Sequence, residues 1–147
     1  MSSDIHFGPI ADHVGFQVHL TWRAIRKRML LRSRRAKPSI PRGAYSIPLL
    51  IGHNPGMSPR DLADALFLDQ SKVALFLRQL ETEGAVERRP SADDGRKVKL
   101  YLTAQGQAHA AESLDKSEAL EQPIAGVFTA AERKQLVALL IKLQHGL

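Results

Sequence analysis

The hydrophobic pattern of this chain changes its period at Gly84, and that change limits what the surrounding residues can fold into. Upstream of the glycine, apolar side chains recur at helical steps of three and four, at Val73, Phe76, Leu77 and Leu80. Downstream, they alternate with polar residues as in β-strands, at Val86 and again at Val98, Leu100 and Leu102. A glycine at such a junction can take the left-handed conformation that ends a helix. The pattern therefore predicts a helix that leads directly into a β-hairpin, with its turn in the sequence SADDG.

A shorter helix is predicted just upstream of this unit. Ser58 is suited to cap it, Pro59 to occupy its first turn, and Asp61 to complete a capping box. The chain then breaks at Phe67 and Leu68, and Asp69 can cap the next helix. Two capped helices followed by a hairpin predict a winged helix-turn-helix over residues 58–103.

The side of the second helix opposite its apolar stripe is suited to DNA. It carries Ser71, Lys72, Leu75 and Arg78, and the helix has no carboxylate before Glu81. Its first two turns are therefore expected to approach a phosphate backbone.

Arg96 and Lys97 lie beside the predicted tip of the hairpin. A guanidinium at the end of a narrow hairpin can enter the minor groove, whose negative potential attracts it, while the helix occupies the adjacent major groove. The alternative interpretation is a small structural hairpin whose charges are only solvated.

Three segments resemble the MarR-type bacterial transcriptional regulators: SPRDLADAL followed by LDQSKV, then LETEGAVERRP, then DGRKVKLYLTAQG. The resemblance covers about a third of the chain. It implies a dimer that binds a pseudo-palindromic operator in double-stranded DNA, usually as a repressor. It also implies release of DNA when a small molecule binds between the dimerisation and DNA-binding parts.

Carried over by position, the resemblance gives Asp94 and Arg96 the wing-tip roles and places Ser71, Lys72, Leu75 and Arg78 on the recognition helix. Two departures stand out. Phe67 occupies a turn position where the family usually has glycine, and Ala74 and Leu75 make the recognition helix unusually apolar.

The basic excess of the chain lies outside the predicted DNA-binding part. Residues 53–103 hold eight Lys or Arg and eight acids, whereas residues 1–42 hold nine Lys or Arg and two acids, a net charge of +7. The segment from Arg23 to Lys37 alone contains eight cations and no acid. It is expected to bind an anionic effector, to grip DNA phosphates, to contact a partner subunit, or to serve as solubilising surface.

The effector hypothesis assigns specific residues to a small anionic ligand, such as an aromatic acyl-CoA. Trp22 would receive the aromatic or acyl part, while Arg23, Arg26 and His19 would hold the anionic end. Some members of the family that the chain resembles sense aromatic acids or their CoA thioesters.

Helices are also expected on both sides of the winged helix. The first carries an apolar stripe at Ile10, Val14, Val18, Trp22, Ile25 and Met29. A connection from Ser33 to Arg42 and a short apolar helix ending at Gly52 follow. After the wing, one helix runs from Thr103 until Pro123 interrupts it, and Thr129 with Glu132 caps the last.

The predicted fold class is mainly α with a small β-wing, a winged helix-turn-helix flanked by N- and C-terminal dimerisation helices. Residues 53–103 would form the DNA-binding part of a single chain spanning 1–147, and residues 5–52 and 104–147 the dimerisation part. A homodimer is expected, and helices that cover only their own core are the alternative.

Other function classes lack sequence support. The chain has no Cys for thiol chemistry, no closely spaced His pair for a metal, no nucleophile elbow and no glycine-rich phosphate loop. We therefore expect neither an enzyme nor a cofactor. No apolar run suits a membrane span or a secretory signal, so a cytoplasmic location is expected. A ligand-independent nucleic-acid-binding or architectural winged-helix module is the alternative function.

Overall fold

The computed structural model describes the backbone of residues 5–33, 46–92 and 94–147, and the side chains of 5–28, 46–92 and 94–147. It contains a 3-10 helix at Gly8–Asp12, then α1 (Val14–Ser33), α2 (Ser46–His53), α3 (Pro59–Leu66) and α4 (Gln70–Thr82). The hairpin strands β1 (Val86–Pro90) and β2 (Val98–Leu102) follow, and then α5 (Ala104–Ala125) and α6 (Ala130–His145). The chain divides into two units, residues 1–39 and residues 40–147. The fold is mainly α with a two-stranded wing, which confirms the predicted class.

The core of the second unit is built from the apolar stripes of α2, α3 and α4 together with the base of the hairpin. Its buried members are Ile47, Ile51, Leu62, Ala63, Val73, Leu77, Leu80, Ala85, Val86 and Leu100. The predicted inner face of α4 is therefore confirmed, and α2 contributes to the same core. Burial of aliphatic side chains of this size stabilises a fold by roughly 1.5–3 kcal/mol each, before the opposing chain entropy.

The wing is an antiparallel pair in which Val86 lies opposite Leu102 and Pro90 lies opposite Val98. The returning strand is also tied to the segment before α3. The Leu100 amide donates to the Met57 carbonyl at 2.9 Å, and the Gly56 amide donates to the Leu100 carbonyl at 2.8 Å. These bonds hold the base of the wing beside the entrance to α3.

The junction of α4, the wing and α5 depends on two glycines. Gly84 has φ +69°, the left-handed conformation predicted for the end of α4. The Thr103 hydroxyl accepts from the Gly106 amide at 3.0 Å and donates to the Gly84 carbonyl at 2.6 Å. A Cβ at Gly106 would lie 1.9 Å from the Ala85 carbonyl oxygen. The close approach of α5 to the start of β1 therefore requires glycine at position 106.

The first unit differs from the single long helix that the sequence predicts. Ile10 lies in the separate 3-10 helix, and His13 is extended (φ −78°, ψ 120°), so α1 begins only at Val14. Phe7 and Phe16 pack with their ring centroids 5.4 Å apart, which ties the 3-10 segment to α1. The apolar stripe predicted for this helix is largely exposed, including Trp22 at 55%. Met29 and the connection containing Pro38 and Pro41 lie outside the described side chains.

The helices after the wing begin as predicted, but the first of them does not end as predicted. Thr103 caps α5 and Thr129 caps α6, in each case by accepting a backbone amide within the first turn. The prediction that Pro123 interrupts α5 is wrong, because the helix continues to Ala125. The Gly126 amide donates to the Gln122 carbonyl at 2.9 Å, which closes the last turn around the proline. Proline itself has a helical φ, so the chain can remain helical through Pro123, although this position supplies no backbone N–H donor.

Candidate nucleic-acid interface

The first helix of the motif is anchored by a complete capping box. The Asp61 amide donates to the Ser58 hydroxyl at 3.1 Å, and the Ser58 amide donates to the Asp61 carboxylate at 2.8 Å. The Ser58 backbone amide, followed by its hydroxyl, lowers the pKa of Asp61 below its ordinary value. The carboxylate is therefore ionised at neutral pH and holds the start of α3 in place.

The turn between α3 and α4 places a bulky residue in a left-handed conformation. Phe67 has φ 52° and ψ 40° and is 76% exposed. The adjacent Leu68 amide donates to the Ala63 carbonyl at 2.9 Å, which closes the end of α3. The backbone here has the geometry that glycine adopts without strain, which agrees with the glycine that the resemblance implies for this turn.

The outer face of α4 is exposed along its length. Ser71, Lys72 and Arg78 are exposed, and Leu75 among them is 63% exposed. Asp69 is the N-cap residue, as predicted, but its carboxylate makes no capping bond and lies 3.1 Å from the Lys72 ammonium. Such an exposed ion pair is weak, so Lys72 remains available to a stronger anion.

The two carboxylates at the other end of α4 are directed to neighbouring elements. Glu81 pairs with Arg88 of β1. The Glu83 carboxylate accepts from the side-chain amide of Gln79 at 3.0 Å and lies 3.7 Å from His109 Nδ1 of α5. The first two turns of α4, residues 70–76, contain no acidic residue of their own.

The wing tip is organised by Asp94. Its carboxylate accepts the Arg96 amide at 3.1 Å, and its carbonyl accepts the Lys97 amide at 2.8 Å. The Ser91 amide donates to the Lys97 carbonyl at 2.8 Å and closes the loop. The side chains of Arg96 and Lys97 are both exposed. Asp94 thus stabilises the turn that places Arg96 and Lys97 at the end of the wing.

The residues proposed for an effector all lie on α1. His19, Trp22, Arg23 and Arg26 follow one another at spacings of three, one and three, which places them along one side of the helix. All four are exposed. The remainder of the basic segment, from Arg32 to Lys37, lies outside the described side chains.

Sequence reasoning missed the contacts that connect separate elements. Examples are the Glu81–Arg88 pair and the Arg89 guanidinium, which lies 4.5 Å from the centre of the Tyr101 ring. The alternating pattern of the two strands could have indicated that Arg89 and Tyr101 lie on the same face of the sheet. Their diagonal contact depends on a register that the turn length alone does not determine.

Two further findings bear on other functions. Within the described ranges, no cluster of three or more His, Cys, Asp or Glu side chains is arranged to hold a metal ion. Nor does this part of the chain contain a helix long and apolar enough to cross a membrane.

Comparison with known proteins agrees with this geometry. The sequence profile of the MarR family matches residues 40–98. The HTH-type transcriptional regulator BilQ of Clostridium symbiosum is 30% identical over 119 residues, which cover 78% of this chain and 80% of BilQ.

Two solved structures share the fold over nearly the whole chain. The transcriptional repressor CouR, bound to a 23-mer DNA duplex, matches with a TM-score of 0.80 and 21% identity over 97% of this chain and 99% of CouR. PcaV of Streptomyces coelicolor, in complex with its natural ligand, matches with a TM-score of 0.77 and 20% identity over 96% of this chain and 98% of PcaV. The chain belongs to the MarR family of transcriptional regulators, which are non-enzymatic DNA-binding proteins.

Proposed function

We propose that this regulator binds a pseudo-palindromic operator as a homodimer and acts as a repressor. In each half-site α4 enters the major groove with Ser71, Lys72, Leu75 and Arg78 towards DNA. The wing tip enters the adjacent minor groove through Arg96, while Lys97 contacts phosphate and Asp94 maintains the turn. The observation that carries the proposal is the exposed, acid-free face of α4.

The electrostatics of this face support DNA as the partner. Lys72 and Arg78 are exposed cations, the Glu81 carboxylate pairs with Arg88 of β1, and the Glu83 carboxylate lies 3.7 Å from His109 of α5. The Asp69 carboxylate lies at the start of the face, and it is already next to Lys72. A DNA phosphate that takes the place of Asp69 beside Lys72 would release counterions condensed on the DNA, and this release raises the affinity of the protein for DNA.

A homodimer is supported by the apolar side chains of the terminal helices. Leu136, Val137, Leu139, Leu140 and Ile141 of α6 are all at least partly open to solvent in the single chain. A regulator of operators in chromosomal DNA would act in the cytoplasm. Two copies related by a two-fold axis would match the symmetry of a palindromic site.

Footprinting on duplexes selected from a random pool tests the DNA-binding proposal. A protected two-fold site, with recognition helices about one helical turn apart, is the expected result. Arg96→Ala should weaken specific binding by about 1–3 kcal/mol, whereas Lys97→Ala should weaken all duplexes alike and reduce the salt dependence.

The control is Lys134→Ala, which removes an exposed cation from the side of α6 opposite its apolar stripe. It should leave affinity unchanged. Equal affinity for every duplex would instead indicate an architectural module, and wild-type affinity in Arg96→Ala would refute the wing assignment.

We further propose that an anionic small molecule, such as an aromatic acyl-CoA, releases the operator by binding α1. Trp22 is an exposed aromatic side chain with Arg23 and Arg26 directly beside it on the helix surface. An arginine can bind a carboxylate or a phosphate through two parallel hydrogen bonds. To regulate, the ligand must bind the DNA-free form more tightly, with a coupling of typically about 1–3 kcal/mol.

Thermal unfolding in the presence of a metabolite panel that includes acyl-CoA thioesters tests this proposal. A true ligand should raise the melting temperature, because it binds the folded state only. Arg23→Ala and Arg26→Ala should abolish that response. Arg28→Ala is the matched control, because Arg28 is exposed and lies on the opposite side of α1 from the row. If the two variants retain every ligand response but lower the salt dependence of DNA binding, Arg23 and Arg26 contact DNA phosphates and do not bind the effector.

A further inference from the structure

Leu75 is an apolar side chain in the middle of a polar surface. It is 63% exposed, and the residues one helical turn away on either side are Ser71, Lys72, Arg78 and Gln79. The core of the helix is formed by Val73, Leu77 and Leu80 on the opposite side. Leu75 therefore contributes little to the packing of this chain.

The major groove offers few partners for such a side chain. The base edges there present hydrogen-bond donors and acceptors, and the exception is the 5-methyl group of thymine. Leucine set against a polar base edge would remove water without replacing its hydrogen bonds, which is unfavourable. Leucine set against a methyl group would remove apolar surface from water on both sides.

We infer that Leu75 is a specificity-determining residue that recognises thymine in each half-site through contact with its 5-methyl group. This inference rests on the proposed binding of α4 in the major groove. It adds the prediction that part of the operator is read by apolar contact, while Lys72 and Arg78 on either side hold the helix at the phosphates or at neighbouring bases.

Replacement of thymine by deoxyuridine tests the inference, because it removes the methyl group and keeps every hydrogen-bonding group. In a duplex selected by the wild-type protein, each thymine is replaced in turn and affinity is measured by titration. Wild-type protein should lose about fourfold in affinity per methyl at one position in each half-site, the effect of roughly one buried methyl or methylene group.

Leu75→Ala should bind the thymine duplex more weakly and should no longer respond to uracil at that position. Leu75→Met, which keeps an apolar side chain of similar size, should restore the response. Arg78→Ala is the control, since it should bind more weakly but keep the wild-type preference for thymine. Leu75 is exposed and alanine favours helix, so circular dichroism and melting temperature should stay close to wild type.

Two results would overturn the inference while leaving DNA binding intact. One is a selected duplex in which no thymine responds to uracil. The other is an equal loss at the responsive position in wild type and Leu75→Ala, which would assign the methyl contact to another residue. Failure to select any protected duplex would instead overturn the proposed function, and this inference with it.

Discussion

The helices α4 and α6 carry the same sequence pattern but differ in burial. In α4 the stripe consists of Val73, Phe76, Leu77 and Leu80, and in α6 it consists of Leu136, Leu139, Leu140 and Leu143. Val73, Leu77 and Leu80 are at most 3% exposed, whereas Leu136, Leu139 and Leu140 are 37–54% exposed. Apolar periodicity therefore predicts which face of a helix is apolar, but not whether the partner for that face belongs to the same chain.

Matched leucine truncations in the two helices should show the largest difference. Leu77→Ala should lower the free energy of unfolding by about 2–5 kcal/mol, because it leaves a cavity in a closed core. Leu140→Ala should instead weaken association of the subunits, with little effect on the unfolding of the winged helix. Urea denaturation at several protein concentrations, together with sedimentation, separates the two effects. A concentration-independent loss in Leu140→Ala as large as that in Leu77→Ala would show that α6 is covered by its own chain.

A matched pair of glycine substitutions should show the next largest difference. Gly106→Ala would bring a Cβ to 1.9 Å from the Ala85 carbonyl, so α5 must move away from β1. We expect a loss of about 2 kcal/mol or more in the free energy of unfolding. Gly15→Ala in α1 is the control, because a Cβ there meets no atom within 4 Å among the described residues. It should be neutral or slightly stabilising, since alanine favours helix. A similar loss in both variants would indicate a general sensitivity to alanine at helix starts.

The elements that the sequence predicted correctly are those with chemical signals at their own ends. The Ser58–Asp61 and Thr129–Glu132 capping boxes form as expected, and Gly84 ends α4. These signals work because a cap satisfies backbone groups within about four residues. Local chemistry is sufficient to determine them.

The errors occurred where local chemistry is weak or where distant elements meet. The stripe through Ile10 continued at helical spacing, although His13 interrupts the helix before Val14. Proline at residue 123 predicts a helix stop because it lacks a backbone N–H, yet its fixed φ is helical and α5 continues to Ala125. The ion pair of Glu81 with Arg88 depends on where β1 leaves α4, which spacing alone does not specify.

The two left-handed helix ends of the motif provide a smaller test within the winged helix. Phe67 has φ 52° at the end of α3, and Gly84 has φ 69° at the end of α4. Phe67→Gly should raise the free energy of unfolding by about 1 kcal/mol, because it relieves strain at positive φ. Gly84→Ala should lower it by about the same amount. Because the Phe67 ring is exposed, its removal leaves no cavity that would hide the relief of backbone strain. A loss of stability in Phe67→Gly would show that the ring has a packing role.

Substitutions in the two capping boxes should have the smallest effects on stability. One box begins α3 of the winged helix and the other begins α6, so they compare the same two regions. Asp61 and Glu132 both have pKa values below their ordinary ranges, chiefly because each carboxylate accepts the backbone amide of its cap residue. For Asp61 the unfolded chain binds a proton more readily than the folded chain does. The carboxylate therefore contributes stability above its unfolded-state pKa and loses it as the pH falls through the folded value, below about pH 4.

Asp61→Asn should lower the free energy of unfolding of the winged helix by about 0.5 kcal/mol at pH 7, a figure reduced for solvent screening at an exposed site. The difference from wild type should shrink towards zero in acid, where wild-type Asp61 is itself protonated. Glu132→Gln should reduce the helicity and amide protection of α6, while the unfolding of the winged helix stays unchanged. Denaturation across a pH series, combined with hydrogen exchange, measures both. A shift in the unfolding of the whole chain by Glu132→Gln, like that expected for Asp61→Asn, would show that α6 unfolds together with the winged helix. The difference in burial between α4 and α6 would then not produce a difference in stability.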